Sequence, residues 1–155
     1  MALSERGFTF IEVVVVMSVV ALLIWVALPR SFAADIQLQT AARQLQSDIR
    51  YAQELAMTKG QRHQIRFYSA SNPSPTNRYE VVTSAGGAVR NPLTGNGSYV
   101  VDFNSGQFSG VQLDSTLTLE FDSLGRPNPN AGTTISLNGG AKVVTVTAET
   151  GRVSF

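Results

Sequence analysis

The sequence predicts an α+β protein: a long N-terminal α-helix, membrane-spanning in its first half and amphipathic in its second, packed on a small antiparallel β-sheet domain. Three observations carry this. Residues 13–28 form an uncharged apolar run. Behind them, apolar residues recur at spacings of mostly three and four as far as Ala56. From Gln61 onward the period drops to two, and Gly, Pro and Asn punctuate the chain. Periods of 3.6 and 2 are the marks of helix and strand. The helix stripe needs a surface to cover and the strands need a lid, so each buries the other.

The elements divide the chain into a short polar leader (1–7), an apolar helix (8–29), an amphipathic helix (30–60) and a β-rich globular domain (61–155). Glu12 stands at the mouth of the apolar run. A charge at a helix centre in lipid costs about 2.5–3.5 kcal/mol, so such an acid calls for a partner. Pro29 removes a helical hydrogen bond and marks a kink or membrane boundary. Beyond it, Ile36, Leu38, Ala41, Ala42, Leu45, Ile49, Ala52, Leu55 and Ala56 form one stripe. Arg43, Gln46, Arg50 and Gln53 fall largely off it, toward water or neighbouring subunits. Lys59-Gly60 reads as the helix stop, with a cation in the last turn. At 1.5 Å per residue, a helix over 8–59 would run roughly 75–80 Å.

Strands are expected at 62–68, 79–83, 99–103, 110–113, 117–122, 134–137, 142–147 and 152–155. Turns are expected at Asn138-Gly139-Gly140 and Thr150-Gly151. The stretch 84–97, with four Gly and one Pro, reads as a loop.

Composition narrows the function. Twelve Lys and Arg against eleven Asp and Glu leave no basic excess for nucleic acid. The absence of cysteine excludes a disulfide framework and thiol chemistry. The lone His63 alternates with Ile65 and Phe67 as a sheet residue, and no nucleophile–base pair accompanies it. Asp114, Glu120 and Asp122 read as solvated carboxylates on a strand and its turns. No catalytic residue, metal site or cofactor is expected.

The ordered run Gly7-Phe8-Thr9-Phe10-Ile11-Glu12 ahead of the apolar helix resembles the class III signal of type IV pilins and type II secretion pseudopilins. The stripe of 41–60, the run Phe121-Asp122-Ser123-Leu124-Gly125-Arg126 and the closing Gly151-Arg152-Val153 are similar to the GspH/FimT branch of minor pseudopilins and minor pilins. The resemblance implies a non-enzymatic structural subunit. A prepilin peptidase would cut between Gly7 and Phe8 and methylate Phe8. The new amine of one subunit would neutralise Glu12 of its neighbour, and Pro29 would loosen the helix locally in the filament. The first expectation is a minor pseudopilin near the tip of a type II secretion pseudopilus, and the alternative is a minor pilin priming or capping a type IV pilus. Implied partners are other pilins or pseudopilins, the peptidase, an inner-membrane assembly platform, and secreted cargo or the outer-membrane channel. The location implied is the bacterial inner membrane, single-pass, with the globular domain in the periplasm. Some FimT-type proteins bind DNA through Gly-Arg-x-Arg. Gly151-Arg152-Val153-Ser154 lacks the second arginine, and with near-neutral charge nucleic acid is not an expected partner.

A rival reading makes 13–28 the core of an ordinary signal peptide cut after Ser31-Phe32-Ala33, releasing a soluble binding module from near Ala34. Glu12 is an odd residue at the start of such a core, and the helical pattern runs past the supposed cut.

Overall fold

The computed structural model describes residues 9–27, 31–95, 97–128 and 132–155. It divides into two compact units, Met1–Ala33 and Ala34–Phe155.

In the first unit, helix α1 (Phe10–Ala27) is 18 residues long. Its side chains from Phe10 to Trp25 are exposed on every side, although nearly all are apolar. A helix apolar all round is stable only in a lipid-like or protein-core setting. Ser18 hides its hydroxyl on the helix itself, donating to the Val14 carbonyl at 2.8 Å. Among the described residues no helix is long and apolar enough to cross a membrane. At 1.5 Å per residue, α1 measures about 27 Å against about 30 Å of hydrocarbon. Gly7, Phe8 and Pro29 lie outside the described residues, and so does the expected passage of one helix through Pro29.

In the second unit, α2 (Ser31–Lys59) buries Leu38, Ala41, Ala42, Leu45, Ile49, Ala52 and Ala56. The alanines let the helix sit close to the sheet. Ile36, expected on this stripe, is exposed. Gly60 ends the helix with φ +60°, a left-handed conformation that costs glycine nothing.

Five antiparallel strands follow: β1 (His63–Tyr68), β2 (Arg78–Thr83), β3 (Tyr99–Asp102), β4 (Leu117–Phe121) and β5 (Pro127–Asn128), ordered β3-β2-β1-β4-β5. Three more, β6 (Thr133–Leu137), β7 (Lys142–Val146) and β8 (Val153–Ser154), make a second antiparallel sheet in chain order. The expected small antiparallel domain is thus two sheets. In the register, Ile65 lies opposite Val81 and Leu119, while Phe67 lies opposite Tyr79 and Leu117. These residues, with Phe121, Ile135, Val144 and Val146, join the α2 stripe in one core.

Two strand expectations need correction. Residues 110–113 form no strand. Gly110 has φ +96°, and asparagine side chains take the backbone polar groups instead. Asn77 Nδ2 donates to Val111 O at 2.8 Å, Leu113 N donates to Asn77 Oδ1 at 2.9 Å, and Gln112 N donates to Asn138 Oδ1 at 2.6 Å. Only an isolated bridge, Leu113 to Leu137, remains. Conversely, β5 forms where no strand is expected, because two residues beginning with proline carry no alternation.

Candidate assembly site

The polar feature of α1 is its first turn. Thr9 precedes the helix, and Glu12 N donates to Thr9 Oγ1 at 3.4 Å and to Thr9 O at 3.1 Å. Thr9-x-x-Glu12 is the sequence pattern of a capping box, in which the cap hydroxyl satisfies an otherwise unpaired helix N–H. A carboxylate in the first turn also meets the positive end of the helix dipole. The Glu12 side chain is solvent-exposed. Its position is therefore good for helix initiation, and among the described residues its carboxylate has no partner. The signal for this cap lies in the sequence itself, a Thr three residues ahead of a Glu.

On α2 the structure reveals a site that periodicity alone concealed. Asp48 is buried, 2% exposed. It accepts hydrogen bonds from Tyr79 Oη at 2.6 Å, Tyr99 Oη at 2.8 Å and Gln44 Nε2 at 2.8 Å. The helix is thereby pinned to β2 and β3 at a fixed height. The signal was there: Leu45, Asp48 and Ala52 are spaced three and four, so an acid interrupts an apolar stripe.

Burial raises the Asp48 pKa, although the three hydrogen bonds partly oppose it. Burial and the neighbouring carboxylate push both tyrosines up as well. A folded-state pKa above the unfolded value contributes stability that is fully present below the unfolded pKa and is lost as pH rises through the folded one. Relative to Asp48→Asn, the wild-type melting temperature should therefore climb as pH is lowered from 7 toward 4. Paired circular-dichroism melts across that range check this; a gap that stays flat or shrinks on acidification contradicts it.

Of the residues placed off the stripe, Arg43 is exposed as expected, but the other three do not simply face water. Gln46 Nε2 and Arg50 Nη2 both donate to Val153 O, at 3.2 and 3.0 Å. Gln53 Nε2 donates to Gly125 O at 2.8 Å and Thr150 O at 3.1 Å. These three side chains clasp the second sheet and the β4–β5 turn to the helix through backbone carbonyls. Sequence reading missed this because a carbonyl acceptor leaves no mark in composition.

His63 takes its expected place in β1, buried, with Nδ1 2.9 Å from Gln61 O. The three carboxylates hold turns and strand neighbours. Asp114 accepts from Gly139 N and Gly140 N at 2.8 and 3.0 Å. Asp122 accepts from Leu124 N and Arg126 N at 2.9 and 2.8 Å. Glu120 accepts from Ser84 Oγ and Asn128 Nδ2 at 2.7 and 2.9 Å. Among the described residues no group of three His, Asp or Glu is placed to share an ion.

Comparison with known proteins bears on both units. Residues 3–28 match the prokaryotic N-terminal methylation motif. The chain is similar in fold to the type IV minor pilin FimU of Pseudomonas aeruginosa, strain PAO1, seen in two crystal forms at 17% identity. The P21 form covers 80% of this chain and 91% of FimU with a TM-score of 0.53. The P65 form covers 76% and 90% with a TM-score of 0.50. No curated protein sequence matches the chain. Residues 41–151, from the buried alanines of α2 to the glycine of the last turn, match the model for type II transport protein GspH. That match spans most of the chain, and the chain belongs to the GspH family.

Proposed function

We infer that the chain is a structural minor pseudopilin of a type II protein secretion system, assembling through its N-terminal helix at or near the pseudopilus tip. The observation that carries this is the methylation motif over 3–28 standing directly before a GspH domain over 41–151. The geometry supports it. α1 exposes apolar side chains on every side, which suits exchange between lipid and a bundle of like helices. Its one carboxylate, Glu12, lies in the first turn, next to where a new amine would form. The fold it shares with FimU favours a second reading, a minor pilin priming or capping a type IV pilus.

In this reading a peptidase cuts between Gly7 and Phe8 and methylates the Phe8 amine, and Glu12 neutralises that amine on a neighbouring subunit. Pro29 loosens the helix. The precursor spans the bacterial inner membrane once, with residues 61–155 in the periplasm, and residues 8–28 supply the span. Partners are other pilins or pseudopilins and the inner-membrane assembly platform, with cargo or the outer-membrane channel at the tip. The work is non-enzymatic.

The test is intact mass of membrane-extracted protein, wild type and Gly7→Ala, from cells with and without prepilin peptidase. Wild type should lose residues 1–7 and gain one methyl only when the peptidase is present, and Gly7→Ala should stay full length. A mature chain starting near Ala34 would make the apolar segment a discarded signal and end the filament reading.

A further inference from the structure

An asparagine followed by glycine carries a reaction within it. The glycine nitrogen, with no side chain beside it to obstruct the approach, can attack the asparagine Cγ. A bond forms from that nitrogen to Cγ, the Cγ–Nδ2 bond breaks, and Nδ2 leaves as ammonia, taking up the proton of the glycine N–H. Water then opens the resulting succinimide to aspartate or isoaspartate. The chain has two such pairs, Asn96-Gly97 and Asn138-Gly139. Asn96 lies outside the described residues. The second pair stands in the exposed turn between β6 and β7.

Both of its reacting groups are tied down, by different residues of the segment 110–114. Asn138 Oδ1 accepts from Gln112 N at 2.6 Å, and Nδ2 donates to Gly110 O at 3.4 Å. The Asn138 main-chain N–H donates to Gln112 O at 2.9 Å, so side chain and main chain grip the same residue. Gly139 N donates instead to Asp114 Oδ1 at 2.8 Å, beside Gly140 N on Oδ2 at 3.0 Å. A carboxylate is far too weak a base to remove an amide proton, so Asp114 does not activate this nitrogen. It does the opposite: the attacking species is the deprotonated amide, and a negative charge at 2.8 Å disfavours it. The segment is fastened to β6 as well, through the Leu113–Leu137 bridge and Asp114 N on Ser136 O at 3.1 Å. An open cleft of about 590 Å³, lined by Gln112, Asp114, Gly139 and Gly140 among others, brings water to the turn.

We propose that Asn138 is a latent self-modification site, kept unreacted by segment 110–114 with Asp114 as its guard, and converted to aspartate or isoaspartate when that segment lifts from the turn. Lifting frees both reacting groups at once. The conversion runs one way. Aspartate at 138 puts a carboxylate where an amide donated to Gly110 O, and beside the Asp114 carboxylate, so like charges keep the segment from closing again. Isoaspartate also lengthens the main chain of the turn by one carbon. A converted chain therefore keeps a permanent mark of a local opening that is itself brief. The inference does not depend on which assembly the chain serves.

The test is the rate of amide loss at residue 138 of the full chain in detergent micelles at neutral pH, read by fragment mass spectrometry. Folded wild type should convert at least tenfold more slowly than the same chain unfolded in urea. Asp114→Ala should convert at least fivefold faster than folded wild type while still melting cooperatively. Asp114→Asn, which keeps an acceptor for Gly139 N, should fall between the two, and it decides the matter if the alanine variant does not fold. Equal rates for folded and unfolded wild type, or variants no faster than wild type, overturn the guard. Asn138→Asp tests the one-way step separately: amide exchange at Gly139 and Gly140 should quicken at least tenfold. Unchanged exchange there would mean that the segment closes over the product, and the permanent mark falls.

Discussion

Gly151→Ala should destabilise the globular unit by about 3 kcal/mol, lowering its melting temperature by about 10 °C. Two costs combine. Gly151 has φ +64°, where a side chain is strained by roughly 1–2 kcal/mol. An added Cβ would also stand 2.7 Å from Gly125 O, 2.6 Å from Gln53 Nε2 and 3.1 Å from Phe121 Cε1. The Gln53 amide is the end of a flexible side chain and could move, but only by abandoning its bonds to Gly125 and Thr150. The Gly125 carbonyl is backbone and cannot. Thermal melts of Gly151→Ala, alone and combined with Gln53→Ala, separate the two. The double variant should recover only a minor part of the loss. Melting within 2–3 °C of wild type, roughly 1 kcal/mol, would show that the helix, the β4–β5 turn and the β7–β8 turn do not need this close approach.

Asp48→Ala should cost a similar amount, about 3 kcal/mol, because it strands two tyrosine hydroxyls in the core. Tyr79 is fully buried and Tyr99 nearly so, and each donates to Asp48. Removing one hydroxyl is milder. Tyr79→Phe leaves Asp48 with Tyr99 and Gln44, and should cost about 1 kcal/mol. Replacing Asp48 and both tyrosines together, Asp48→Met with each tyrosine changed to Phe, should recover much of the loss, since no hydroxyl is then orphaned in the core and only the half-buried Gln44 amide loses its acceptor. Chemical denaturation of the four proteins gives the order. If Asp48→Ala is no worse than Tyr79→Phe, the network contributes no more than one ordinary hydrogen bond.

What could be read in the sequence followed from periodicity and from turn residues with special backbone needs. The α2 stripe from Leu38 to Ala56, the helix stop at Gly60, the alternation of His63, Ile65 and Phe67, and the turns at 138–140 and 150–151 stand as expected. What could not be read was side chains bonding backbone. Asn77 and Asn138 dissolve the expected strand at 110–113, and Gln46, Arg50 and Gln53 turn an apparently wet helix face into a clasp. Such contacts join residues about 70–107 apart in the chain in the case of the clasp, and no local pattern encodes them. At the N-terminus the position was reversed. There the ordered run Gly7-Phe8-Thr9-Phe10-Ile11-Glu12 is a local pattern, legible without any tertiary contact.

Ser18 donates its hydroxyl to Val14 rather than outward, and every other side chain from Val13 to Trp25 is without charge. The barrel of α1 thus has no angular preference: turned about its own axis, it offers much the same greasy surface to whatever lies alongside. Only the end bearing Glu12 has a fixed chemical demand. On the filament reading, such an element would be a swivel, tethered at its tip and free in azimuth, able to sit among unlike neighbours without a dedicated seam for each.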